Sequence, residues 1–329
     1  MQKYVPVKTI FEIANEEQFI QCALDTFRFQ ADHCKVYRSY LTLLGVDPAS
    51  ISAMEEIPFL PIELFKSHAV YCAPHPPQYT FTSSSTSGTV PAKHHIACIA
   101  LYEESFIRTF RLFMHTPESY TIIALLPSYS ERTGSSLIYM VAKLMQLSNA
   151  PENGFYLYNY SELQHQLTTL CNQGKRTLLF GVSFALLDFL QCHSIDFPIL
   201  EIIETGGMKG RGMELNRNEL HQKLKEGFGT LHIHSEYGMA ELLSQAYAID
   251  GEFFKTPPWM RVFIRDLHDP FRFIPNGRRG GINMIDLANR YSCSFIETQD
   301  MGILHDDHSF ELLGRIPFSE LRGCNLLLD

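Results

Sequence analysis

Between residues 121 and 228 the chain alternates short, mostly apolar runs with stretches whose apolar side chains recur at intervals of three and four. The runs at 121–126, 154–158, 177–182 and 199–204 have the length of strands; those at 137–147, 161–171, 184–192 and 213–228 have the length of helices. A strand that is apolar throughout must be covered on both faces. This order therefore predicts an α/β fold, a largely parallel sheet flanked by helices.

The flanking segments read differently. Residues 15–44 keep a helical spacing through Phe19, Ile20, Ala23, Leu24, Phe27, Tyr37, Tyr40, Leu41 and Leu44, which predicts a helical N-terminal layer. Pro58 and Pro61 fix an extended entry into the next segment, and 98–114 is again helical. Beyond Pro257 the pattern changes to alternating strands with turn signals at Pro275-Asn-Gly, Arg279-Gly-Gly and His305-Asp-Asp. The expected division is a helical layer over 1–56, an α/β core over 57–256 and a smaller β-rich part over 257–329.

Composition narrows the partners. A net charge of −9 with no basic block gives nucleic acid no electrostatic footprint. No apolar run reaches the roughly 18–20 residues of a membrane span, and the N-terminus lacks a signal-type apolar region, so a soluble, cytoplasmic protein is expected. Eight cysteines without paired spacing read as reduced thiols, mostly buried.

Four stretches carry possible chemistry. Phe81-Thr-Ser-Ser-Ser-Thr-Ser-Gly-Thr-Val-Pro-Ala-Lys93 gathers hydroxyls, backbone amides, one glycine and a lysine, as a phosphate-holding loop would; a surface turn is the alternative. It lacks the GxxxxGK[ST] spacing and is no Walker A loop. Glu204-Thr-Gly-Gly-Met-Lys-Gly-Arg-Gly212 follows an apolar strand, where glycines let a flat ring lie against the backbone or simply supply a turn with positive φ. Ser235-Glu-Tyr-Gly-Met-Ala-Glu241 offers an aromatic ring and, four residues on, a carboxylate suited to Mg²⁺ or to the start of a helix. In Glu297-Thr-Gln-Asp-Met-Gly302 and the later Gly314-Arg315, Asp300 can accept ribose hydroxyls and Arg315 offers a fork to an anion. His94, His95, His232 and His234 read as packing or capping residues before they read as bases.

In this order the four stretches, over about residues 57–325, resemble the adenylate-forming superfamily of acyl- and aryl-CoA synthetases, adenylation domains and luciferases. SSSTSGTVPAK is similar to its phosphate loop, ETGGMKG to its adenine-lining segment, YGMAE to its YGxTE, TQDMG to its TGDxG, and Gly314-Arg315 to the GR before its hinge. IPFLPIELFKSH and YGMAELLSQ look closest to the acyl-protein synthetases of bacterial bioluminescence, near the phenylacetate-CoA ligases. The resemblance implies ATP- and Mg²⁺-dependent activation of a carboxylic acid, fatty or related, as acyl-AMP, followed by transfer to a thiol. It implies that Ser84, Ser85, Thr86, Ser87, Gly88, Thr89 and Lys93 hold phosphates. Gly206, Gly207, Met208, Glu236, Tyr237 and Gly238 would line adenine, Glu241 would hold Mg²⁺, and Asp300 and Arg315 would hold ribose.

Two residues depart from the family pattern: Ser85 stands at a usual glycine, and Ala240 at a usual threonine. The sequence ends soon after an RGxN-like segment, Arg322-Gly-Cys-Asn325, where phenylacetate-CoA ligases continue into a domain bearing a catalytic lysine. Another thiol is therefore expected to accept the acyl group. By analogy with the bioluminescence relatives, which are acylated on a cysteine near their C-terminus, Cys324 is the candidate, with Arg322 beside it to favour the thiolate. The alternatives are a partner protein's cysteine, the phosphopantetheine of an acyl carrier protein, CoA with help from a separate subunit, or a weakly active nucleotide-binding subunit. The acyl pocket is expected between the ends of the runs at 121–126 and 177–182.

Overall fold

The computed structural model describes residues 7–83, 90–127, 133–206, 215–251 and 253–316. The chain divides into two compact units, one of Met1–Pro76 with Pro258–Asp329 and one of Pro77–Pro257.

The first unit begins with helices α1 (Glu16–His33) and α2 (Lys35–Leu43). Asn15 caps α1 by accepting from the backbone of Gln18, and Glu16 and Glu17 favour the positive end of its dipole. The periodic stretch is thus two helices, because Cys34 adopts an extended backbone that closes one and opens the other. The two-residue strand β1 (Leu60–Pro61) and the one-turn helix α3 (Leu64–Ser67) follow.

The second unit starts with the antiparallel hairpin of β2 (Tyr79–Thr82) and β3 (Lys93–Ile96). Then come α4 (Ile99–Phe113), β4 (Thr121–Leu125), α5 (Ser136–Ser148), β5 (Gly154–Phe155), α6 (Tyr160–Asn172), β6 (Thr177–Val182) and α7 (Ser183–Leu190). The series ends with β7 (Glu201–Thr205), α8 (Arg217–Phe228), β8 (His232–Tyr237) and β9 (Ala246–Ala248). The sheet runs β5-β4-β6-β7-β8-β9, parallel except for the last pair. Every residue of β4 is buried, as a strand covered on both faces requires. One face packs Ile123, Leu179 and Ile202 against Leu167, Phe189 and Phe228 of the helices. Parallel pairing brings the carboxyl ends of β4, β6, β7 and β8 to one edge, where ligands of open α/β sheets bind.

The rest of the first unit is an antiparallel sheet of β10 (Met260–Arg265), β11 (Arg279–Asp286), β12 (Phe295–Leu304) and β13 (Phe310–Arg315). Residues 57–76, expected in the α/β core, belong here instead. β1 joins β12 in parallel, Ile62 N donates to Glu297 O at 3.0 Å, and the Tyr37 hydroxyl donates to Pro58 O at 2.6 Å. Pro61 suits this place because an edge strand does not require its missing amide. The helical layer packs on the same unit: buried Gln30 donates to the carbonyls of Asn289 and Arg290 and accepts from Ser294 N.

Candidate active site

Thr82 and Lys93 lie directly opposite each other at the loop end of the β2–β3 hairpin. Ser84, Ser85, Thr86, Ser87, Gly88 and Thr89, which connect them, fall outside the described residues. The base of the connection is pinned twice, by Ser83 N donating to Ala92 O and by Ala92 N donating to the Ser83 hydroxyl. Lys93 is exposed and His94, on the opposite face, is buried. Burial holds the His94 imidazole down to about 4, so it is neutral near pH 7, and its Nδ1 donates to Ala240 O at 2.9 Å. The strand that presents Lys93 is thereby tied to the turn that carries Glu241. His94, expected to pack or cap rather than to act as a base, is that tie, and which backbone carbonyl it holds is decided by the fold.

At the carboxyl ends of β7 and β8 several candidates come together. Gly206 follows β7 with a left-handed φ of +62°, and among the described residues no atom lies within 4 Å of where a side chain would stand. Gly207 and Met208 lie outside the described residues. Strand β8 runs through Tyr237, so Glu236 and Tyr237 are strand residues; the Tyr237 ring is buried and meets Phe254 edge-on at 6.1 Å. A Cβ at Gly238 would sit 2.3 Å from Glu236 Oε1, so only glycine leaves that carboxyl where it is. Glu241 is buried in a turn between β8 and β9; no helix starts there, so its carboxylate is not a helix-dipole partner.

Two buried carboxyls on neighbouring strands are shifted in opposite directions. Burial raises the Glu204 carboxyl, but the hydrogen-bonding groups of His221, Ser235 and Ser183 outweigh it and hold it below the usual range. Ser183 Oγ donates to Glu204 Oε2 at 2.7 Å, and His221 Nε2 lies 3.1 Å from Ser235 Oγ. Burial pushes the Glu236 carboxyl up to about 7, opposed by the Thr205 hydroxyl and assisted by the charge of Glu204. Near neutral pH, Glu236 is thus both a proton donor and an acceptor at the edge of the sheet.

In the first unit, Asp300 and the exposed Arg315 face each other across β12 and β13, Asp300 half-buried beside a bulge. Cys324 lies outside the described residues. A cavity of about 490 Å³ in the second unit, lined by Arg176, Glu201, His232 and His234 among others, opens at the amino ends of the parallel strands, the edge opposite to Gly206 and Tyr237. Among the described residues no group of three or more His, Cys, Asp or Glu side chains is arranged to hold a metal, and no helix is long and apolar enough to cross a membrane.

Residues 8–329 match the family model described as "Acyl-protein synthetase, LuxE". The chain belongs to this family. It is accordingly an adenylate-forming acid–thiol ligase, whose general chemistry is acyl-adenylate formation and acyl transfer. No curated protein matches the chain. Among solved structures, an open conformation of 2-hydroxyisobutyryl-CoA ligase in complex with 2-HIB-AMP and CoA superposes with a TM-score of 0.70 at 12% identity, over 92% of this chain and 75% of that one. ATP-bound MatB from Rhodopseudomonas palustris gives 0.52 at 14% identity, over 72% of this chain and 47% of that one. At these identities the two likenesses establish the fold, the α/β architecture of adenylate-forming enzymes expected from the sequence.

Proposed function

We propose that this acyl-protein synthetase activates a carboxylic acid, fatty or related, with ATP and passes the acyl group to a protein or carrier thiol. The observation that carries the reading is the grouping of Gly206, Glu236, Tyr237, Gly238 and Glu241 beside the carboxyl ends of β7 and β8. The left-handed Gly206, without a side chain, lets a flat base approach the backbone, and Tyr237 and Glu236 supply an aromatic wall and a hydrogen-bonding edge. Asp300 accepts from ribose hydroxyls with Arg315 beside it, and the hydroxyl loop 84–89 with Lys93 takes the phosphates. The acid enters near the ends of β4 and β6.

Adenylation is an in-line attack of the substrate carboxylate on the α-phosphorus with pyrophosphate leaving, so the protein contributes positioning and charge neutralisation. The Lys93 ammonium supplies one positive charge. The buried Glu241 carboxylate is a hard oxygen donor of the kind that holds Mg²⁺, an ion content with one or two carboxylates when phosphates and water complete its shell. When bound, Mg²⁺ supplies further neutralisation of the phosphates. The second half-reaction needs a thiolate, and Cys324 is our candidate acceptor; the phosphopantetheine of a carrier protein and CoA are the other thiols of matching chemistry.

The test is carboxylate-dependent ATP–pyrophosphate exchange across a panel of acids. Exchange with at least one acid is expected, falling at least 100-fold in Glu241→Ala and Asp300→Ala. A second reading, a subunit that binds nucleotide with little turnover, is favoured by Ala240, a buried methyl where the YGxTE pattern of the adenylate-forming superfamily has a hydroxyl. Mg-ATP binding by calorimetry without exchange for any acid selects that reading over the first.

A further inference from the structure

The antiparallel pairing of β11 with β12 breaks beside Asp300. Gly281 pairs with Met301, but Asn283, two residues on, pairs with Glu297, so β12 carries two extra residues in the interval that contains Thr298, Gln299 and Asp300. Such a bulge re-aims side chains, and it takes backbone groups out of the ladder that must find other partners. One buried cation meets that need. Arg265 Nη1 donates to Ile282 O and Asn283 Oδ1, both at 2.9 Å, and Nη2 donates to Thr298 O at 2.7 Å. Nη2 also lies 3.4 Å from Glu297 Oε1. The Thr298 hydroxyl completes the knot, donating to Ile282 O at 2.7 Å and accepting from Asp300 N at 3.1 Å.

The space for this guanidinium is reserved by the strand opposite. Arg265 and Gly281 are direct cross-strand partners, and a Cβ on Gly281 would lie 2.5 Å from Arg265 Cζ. The side chain is 5% exposed as a residue, so its charge is retained against a desolvation cost. Its carboxylate neighbours include Glu297, Glu63 and Asp300 itself. A planar fork that donates in two directions at once matches these carbonyls; an ammonium on a flexible stem does not.

We propose that Arg265 is a positioning residue for the reaction: by closing the β11–β12 bulge it fixes the backbone of Asp300, and through Asp300 it sets how strongly the enzyme distinguishes nucleotides by their ribose hydroxyls. This rests on the reading of Asp300 as the ribose acceptor given above. Arg265 itself touches no substrate.

Calorimetric titration of the full chain with Mg-ATP and with Mg-2′,3′-dideoxy-ATP separates the two claims. The wild type is expected to prefer ATP by about tenfold or more, the worth of one or two hydrogen bonds to a charged group. Asp300→Ala is expected to abolish the preference, and Arg265→Met to reduce it at least threefold while the thermal midpoint shows a folded protein. Should Arg265→Met not fold, Arg265→Lys retains the charge without the fork and is expected to show the same loss. A wild-type preference in a folded Arg265 variant, with Asp300→Ala having lost it, overturns the positioning role. A preference that survives in Asp300→Ala instead overturns the ribose assignment on which the role depends.

Discussion

Thr205 and Glu236 lie directly opposite each other on the parallel strands β7 and β8, and the threonine hydroxyl donates to Oε2 of the glutamate. Glu236 is 7% exposed, and one neutral hydrogen bond does not offset the loss of water around an ionised carboxylate. Its carboxyl therefore titrates near neutrality, pushed up to about 7 by burial above all. Several consequences can be measured.

Between the ordinary carboxyl value of 4.5 and about 7 the folded chain holds a proton on Glu236 that the unfolded chain has released, so the folded state loses stability as pH rises through that window. Glu236→Gln removes the titration and keeps the shape. The variant is expected to match the wild type near pH 4.5 and to exceed it above pH 7 by on the order of 2–3 kcal/mol, at 1.36 kcal/mol per unit. Urea unfolding at pH 5 and pH 8 checks this; equal stabilities at pH 8 contradict it.

His94 has the opposite sign. Its folded value of about 4 lies below the unfolded 6.5, so the unfolded chain takes up a proton first and stability is lost as pH falls from 6.5 towards 4. His94→Gln retains a donor near Ala240 O without titrating. Its unfolding free energy is expected to change less between pH 7 and pH 4.5, by on the order of 2 kcal/mol, again at 1.36 kcal/mol per unit. A pH dependence identical to the wild type counts against this account.

Gly238→Ala drives a Cβ to within 2.3 Å of Glu236 Oε1. The carboxyl must rotate out of place or the turn must shift, and either change disturbs the proposed adenine wall. Affinity for Mg-ATP is expected to fall about tenfold or more, roughly the worth of a charged hydrogen bond, while folding persists. Unchanged affinity in calorimetry removes Gly238 and Glu236 from the nucleotide site.

Labelled acid incubated with ATP is expected to remain on the wild-type chain as a hydroxylamine-sensitive thioester and to be absent from Cys324→Ser. Label retained by the variant assigns acceptance to another thiol. Cys192, exposed in the second unit, is the first to examine, since Cys22, Cys34, Cys72 and Cys293 are buried.

Much of the α/β unit was legible from the chain alone. Apolar runs such as 121–126 and 177–182 became β4 and β6, and intervening periodic stretches became α5, α6 and α7, because a two-faced buried strand and a one-faced helix impose different spacings on apolar residues. Boundaries drifted where capping decides. The run at 154–158 forms a strand only at Gly154–Phe155, and α8 starts at Arg217 because Asn216 and Glu219 form its capping box. Motif order carried the family, and the family model bears that out.

What the sequence determined by itself was local: the period of each element, the glycines that permit left-handed turns, and the supply of hydroxyls and carboxylates in a recognisable order. Only the tertiary structure decided that β1 joins the sheet of the first unit, that His94 holds the Glu241 turn, that Glu236 titrates near neutrality while Glu204 stays ionised, and that Arg265 closes a bulge beside Asp300. Each of these depends on burial and on partners distant along the chain. A residue's name fixes which hydrogen bonds it can make, but only the packed environment fixes whether water or protein makes them.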